Sequence, residues 1–142
     1  MSLSGKAHSV FTGVAALYIN KDSVEDEEIS FSFAEETARG AKIVVNEYEK
    51  ILKTKKYKNF ITSCCPAVNR MISLYYPNAL EYLAPVDSPV IAHAKLLKQE
   101  NPEAKVVFIG PCIAKKRECE ESGVIDGVLT FEELLEWFQE QN

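Results

Sequence analysis

Apolar positions in this chain fall into runs of two different periods. From Thr37 to about Lys53 they recur at Ala41, Val44, Val45, Tyr48, Ile51 and Leu52, one face of a helix. Lys53, Lys55, Lys56 and Lys58 suit the solvated C-terminal end of that helix. "NFITS" is too short for a helix and predicts a buried strand. Val68, Met71, Ile72 and Tyr75 then return to helical spacing. Pro66 fits the first helical position, where a missing N–H does no harm, and Pro77 stops the helix.

"NALEYLA" predicts one further helical turn. Ser88 and Pro89 start another helix, lined by Val90, Ile91, Ala94 and Leu97 and ending before Asn101-Pro102. "AKVVFIGPC" predicts a second buried strand, broken by Gly110 and Pro111. "IAKKRECEE" is a polar helical piece closed by Gly123. "GVLT" is a third strand. Thr130 and Glu133 have the spacing of a capping box. Phe131, Leu134, Leu135 and Phe138 form the apolar face of a last helix.

Alternating helices and short apolar strands predict an α/β fold, a three-layer α/β/α lobe around a short, mostly parallel sheet. The whole chain, 1–142, is expected to be a single domain, with no repeat or linker. Residues 1–36 are harder to assign. "SVFTGVAALYI" fits a strand or a short buried helix, and "EEISFSF" alternates like a strand. The acidic "NKDSVEDEE" between them reads as a loop, and a hairpin added to the sheet is the expectation.

Charge narrows the partners. A net charge of −5 argues against nucleic acid or an anionic membrane surface. No apolar run approaches the ~18–20 residues of a membrane span, and the N-terminus has no signal-peptide pattern. A cytoplasmic location follows as the expectation. The hydrophobic fraction, 46%, is ordinary for one soluble core.

The chemistry lies in the four cysteines, Cys64, Cys65, Cys112 and Cys119. No CxxC pair occurs, and only His8 and His93 could complete a zinc set, so a zinc finger is not expected. Cys64 and Cys65 close the first clear strand and Cys112 the second. Parallel strands place such ends on one edge, where α/β folds bind ligands. The free N–H groups of the following helices, with Lys115 and Lys116 nearby, favour thiolate. An iron–sulfur centre, a redox pair and a nucleophilic cysteine all fit this pattern. Cys119 lies in a polar stretch and reads as a small core residue. His93 sits mid-helix, so no Cys/His dyad follows. Glu25, Asp26, Glu27 and Glu28 read as a solvated loop.

"TSCCPA", followed later by "GPCIAKKRE", closely resembles the first two signature motifs of the iron-only hydrogenase catalytic domain, TSCCPxW and MPCxxKxxE. "YYPNALEYLAPVDSP" and "VIDGVLTFEEL" also look like that family, and the similarity spans roughly residues 38–138. The resemblance implies a 4Fe–4S cluster joined to a diiron subcluster, together the H-cluster. It makes Cys65 and Cys112 ligands of the 4Fe–4S part and Cys64 the proton-relay thiol. Lys115 would hydrogen-bond a cyanide of the diiron unit, and Glu118 would support Lys115. "GAKIVVNE" is similar to the family's GADLTIMEE, which puts Glu47 on the proton path, although Lys42 replaces an Asp.

Three departures qualify the likeness. The family's third motif, with two further cluster cysteines, is expected beyond Asn142. Val68 stands where catalytic members have Trp, and Gly110 where they have Met. "GPCIAKK" is similar to the sensory branch of the family. The resemblance therefore implies one lobe of a hydrogen-sensing or proton-reducing protein. Its partners would be the remaining lobe and ferredoxin-like iron–sulfur domains of the same longer chain. The fragment alone is expected to be inactive and without a complete cluster. The alternative is an iron–sulfur electron-transfer or cluster-assembly relative that lacks the diiron site.

Overall fold

The computed structural model describes residues 14–19, 33–54 and 57–140. Strands β1 (Val14–Ile19) and β2 (Phe33–Glu36) precede helix α1 (Ala38–Thr54). Helix α2 (Pro66–Tyr75) runs into a 3₁₀ helix (Pro77–Tyr82), and α3 (Pro89–Glu100) follows. Then come β3 (Lys105–Ile109), α4 (Ile113–Ser122), β4 (Gly127–Leu129) and α5 (Phe131–Glu140).

The α/β class is the one expected, and the strands form one sheet in the order β2-β1-β3-β4. β3 and β4 pair in parallel, joined by α4 as a β–α–β unit. The N-terminal segment joins the sheet as expected, with β1 antiparallel to β2 and, on its other edge, to β3, but β2 begins at Phe33, the last residue of the expected "EEISFSF" strand. Parallel pairing is thus confined to β3–β4, and the hairpin makes the sheet mixed. The acidic loop read at 20–28 and most of "EEISFSF" lie outside the described residues.

The first expected strand is not found. "NFITS" is not a strand of the sheet. It makes a single parallel bridge, Ile61 to Leu83, fixed by Ile61 N–H to Tyr82 O (2.6 Å) and Ala84 N–H to Ile61 O (2.8 Å). The physical reason lies in the next residues. Ser63 gives its N–H to the Tyr48 hydroxyl rather than to a ladder. The longer β1 takes the place beside β3 and pairs with it from Lys105 to Ile109.

Val106 and Phe108 turn the same face of β3 toward the helices. Val106 packs with Ala94 and Leu97 of α3, and Phe108 with Val90, Ile91 and Cys119. Local signals set the element ends. Pro66 and Pro89 occupy first-turn positions of α2 and α3. Gly123 closes α4 with a left-handed backbone, φ 66°, which glycine adopts without a Cβ clash. Thr130 and Glu133 form the predicted capping box, with Thr130 N–H to Glu133 Oε2 (2.8 Å) and Glu133 N–H to Thr130 Oγ1 (3.2 Å).

α5 departs from its expected role. None of its residues is buried, and Leu135 and Phe138 of the predicted inner face are exposed. Among the described residues, α5 lies chiefly along β4.

Candidate functional site

Cys65 and Cys112 hold equivalent positions. Cys65 precedes α2 with φ −107° and ψ 108°, and Cys112 precedes α4 with φ −97° and ψ 107°. Each carbonyl opens its helix, accepting from Asn69 N–H (3.0 Å) and Lys115 N–H (3.0 Å) respectively. Neither side chain makes a capping hydrogen bond. Both sulfurs are therefore left for another use, beside N–H groups that favour negative charge. Both cysteines reach this conformation without strain because it is ordinary extended backbone.

The two motifs meet through helices, not through adjacent strand ends. α2 packs against α4, and a cleft between them is lined by Ala67, Arg70, Ala114, Arg117 and Glu118. Lys115, in the first turn of α4, donates to the carbonyl oxygen of Cys64 at 3.4 Å. It also pairs with Glu118 Oε2 at 2.6 Å, and both side chains are mostly buried. Lys115 and Glu118 are thus brought together, next to the cysteine turn.

Cys64 and Cys112 are exposed, and Cys65 is half-buried. Cys119 is fully buried in the Phe108 cluster, as a core cysteine should be. Burial pushes its thiol up to about 11, aided by the charge of Glu118. Lys116, expected to support the thiolates with Lys115, is instead tied to Glu133 of α5.

Glu47 lies on α1, one position before Tyr48. It pairs with Lys50 at 2.6 Å and lines a cavity with Val44, Val86 and Asp87, a cavity that no cysteine lines. His93 is buried on α3, with Nε2 3.7 Å from Glu35 Oε1. Burial holds its pKa below the ordinary value, outweighing the pull of Glu35.

The donor set fits part of a cluster. Cys65 and Cys112 are free thiols at matched helix ends, the ligand type an iron–sulfur centre uses. Among the described residues no three His, Cys, Asp or Glu side chains gather into a metal site. Two thiolates are half the usual four.

The residue before the cysteines had no assigned role in the sequence. Ser63 is 6% exposed. Its Oγ donates to Val86 O at 2.5 Å and its N–H to the Tyr48 hydroxyl at 2.9 Å. Asn69 Nδ2 donates to Ser63 O at 2.8 Å. Tyr48 was legible only as one position of an apolar helix face. The polar partners inside a run of apolar spacing, Tyr48 and Asn69, were the available signal.

The class is therefore a small α/β domain that presents cysteines at the N-termini of two packed helices. The chain belongs to the family described as iron only hydrogenase large subunit, C-terminal domain, which its sequence matches over residues 26–142. It is similar to the periplasmic [Fe] hydrogenase large subunit of Nitratidesulfovibrio vulgaris, 34% identical over 88 residues. That match covers 51% of this chain and 21% of the relative, so the chain spans about one-fifth of the relative's length. No helix among the described residues is long and apolar enough to cross a membrane.

Proposed function

We propose that this chain is one lobe of an H-cluster domain and supplies part of the metal site for hydrogen sensing or reversible proton reduction. The observation that carries the reading is the meeting of "TSCCPA" and "GPCIAKK" through Lys115 and the Cys64 carbonyl. Cys65 and Cys112 would be ligands of the 4Fe–4S part. Such a cluster, with its diiron partner, would pass electrons from the electron partner to protons. Cys64 is the proton-relay thiol, exposed at the turn. Lys115 offers a cation to an anionic ligand of the diiron unit, and Glu118 holds its ammonium in place. Glu47 belongs on the proton path, a reading supported by the cavity it lines with Val86, whose carbonyl oxygen accepts from Ser63 beside Cys64.

The exposed apolar side chains of Val68, Met71, Leu74 and Tyr75 on α2 support a docking face for the remaining lobe. Ferredoxin-like iron–sulfur domains of the same longer chain are the proposed electron partners. Four unpaired cysteines support a reducing, cytoplasmic setting for this chain.

Sensing is favoured over fast turnover by Gly110. A Cβ built there would lie 2.7 Å from Phe108 Cζ, so the Phe108 ring already fills the space a methionine would need. The test is the longer parent protein carrying its metal. Infrared bands from iron-bound cyanide with slow hydrogen evolution are expected. A cubane signal without those bands would overturn the reading in favour of an electron-transfer or assembly relative.

A further inference from the structure

The two peptide groups that flank the Cα of Cys64 are each held by a side chain from a different helix. The Ser63–Cys64 peptide gives its oxygen to Asn69 Nδ2 of α2 at 2.8 Å. The Cys64–Cys65 peptide gives its oxygen to Lys115 Nζ of α4 at 3.4 Å. Behind them Ser63 is anchored to Tyr48 of α1 and to Val86. Peptide groups are planar, so two fixed planes fix φ and ψ at the Cα between them. They therefore fix the Cα–Cβ direction, and χ1 alone is left to the sulfur.

The two arms of this arrangement start at the two candidate ligands. α2 begins after Cys65 and α4 after Cys112. A group seated on both cysteines would thus share its framework with the thiol between them.

Asn69 is an expensive way to hold a helix start. Only its NH₂ can face a carbonyl oxygen, and this leaves Oδ1 buried without a partner. An apolar side chain would spare Oδ1 but leave the oxygen of the buried Ser63 without this donor. The Asn69 donor satisfies the Ser63 oxygen and, in the same bond, sets the orientation of the Ser63–Cys64 peptide.

We propose that Asn69 is a positioning residue for Cys64, with Tyr48 setting the Ser63 anchor behind it. The inference rests on the proposed function only in treating Cys64 as the working thiol. The geometry itself requires no cluster. A thiol that passes protons between two fixed groups has to keep its direction, and an exposed turn would not keep it unaided.

A nitroxide on Cys64 reads this orientation directly, in a Cys65→Ser, Cys112→Ser chain. A nitroxide on Cys112, in a Cys64→Ser, Cys65→Ser chain, is the control. Cys119 is buried and stays in place. Asn69→Asp keeps the side-chain shape, removes the donor and adds a charge that the first turn of α2 favours. Tyr48→Phe deletes a single oxygen and serves as the second variant. In both variants the Cys64 label should tumble about threefold faster, or more, while the Cys112 label keeps its line shape. An unchanged Cys64 label in either folded variant overturns the proposal. So does equal loosening of both labels, which would mean general loss of packing. Label mobility involves no iron, so this test fails or succeeds independently of the cluster assignment.

Discussion

Lys115 reaches the main-chain oxygen of Cys64, 3.4 Å away and 51 positions earlier in the chain. That contact joins two cysteine motifs whose helices pack side by side. The fold also sets an order of exposure among the thiols. Cys64 and Cys112 are exposed, Cys65 is half-buried, and Cys119 is enclosed by Phe108, Val90 and Ile91.

Alkylation at pH 8 should follow that order. Cys64 and Cys112 should react first, and Cys65 more slowly. Cys119 should react only after denaturation, because its thiol is pushed up to about 11 and has no path to solvent. Peptide mass spectrometry over a time course measures this. Labelling of Cys119 in the native chain at a rate comparable to Cys112 would refute the assignment.

Gly110→Met should destabilise the chain by roughly 1–3 kcal/mol, as overpacking does. The cause is Phe108, whose ring atoms Cζ and Cε1 would lie 2.7 and 2.9 Å from the new Cβ. Phe108→Leu should relieve part of this, so the double variant should be more stable than the two single losses added together. Thermal melts of the four chains give the coupling, and strict additivity would rule out Phe108 as the obstacle.

Asp126 should make stability depend on acid. Burial disfavours its charge, but Lys98 at 2.6 Å, Lys105 at 2.9 Å and the Val106 N–H at 2.9 Å outweigh this. The carboxyl falls from 3.8 to about 2. A carboxyl depressed in the folded state stabilises above its unfolded pKa and loses that contribution as pH falls through the folded one. The contribution should be complete above about pH 4 and fade toward pH 2. Asp126→Asn should cost about 1 kcal/mol at pH 7 and flatten that part of the acid titration. A variant whose acid profile overlays that of the parent would contradict it.

Local chemistry was readable from the sequence, and its ends and caps were found where expected. Thr130 and Glu133 bond each other across three residues, and Pro66 and Pro89 act within one turn. The place of "NFITS" was not readable. A short apolar run takes whichever partner the rest of the chain leaves, and β1 outcompeted it for the edge of β3. The sequence predicts that the two cysteine motifs converge through neighbouring strands, whereas they meet through the packing of α2 on α4 and the contact of Lys115 with the Cys64 carbonyl. Ser63, Tyr48 and Asn69 were missed as a unit because hydrogen bonds between distant positions leave no period in the sequence. The apolar face of α5 was legible as a helix face, but periodicity says nothing of what covers it.

The account depends most on Cys65 and Cys112 acting as ligands and Cys119 not. The direct measurement is iron content and the cubane electron paramagnetic resonance signal of the metal-loaded longer protein, with each cysteine changed to serine in turn. Cys65→Ser and Cys112→Ser should each lose most of the cubane signal, while Cys119→Ser should keep it. A full signal in Cys112→Ser would contradict the account.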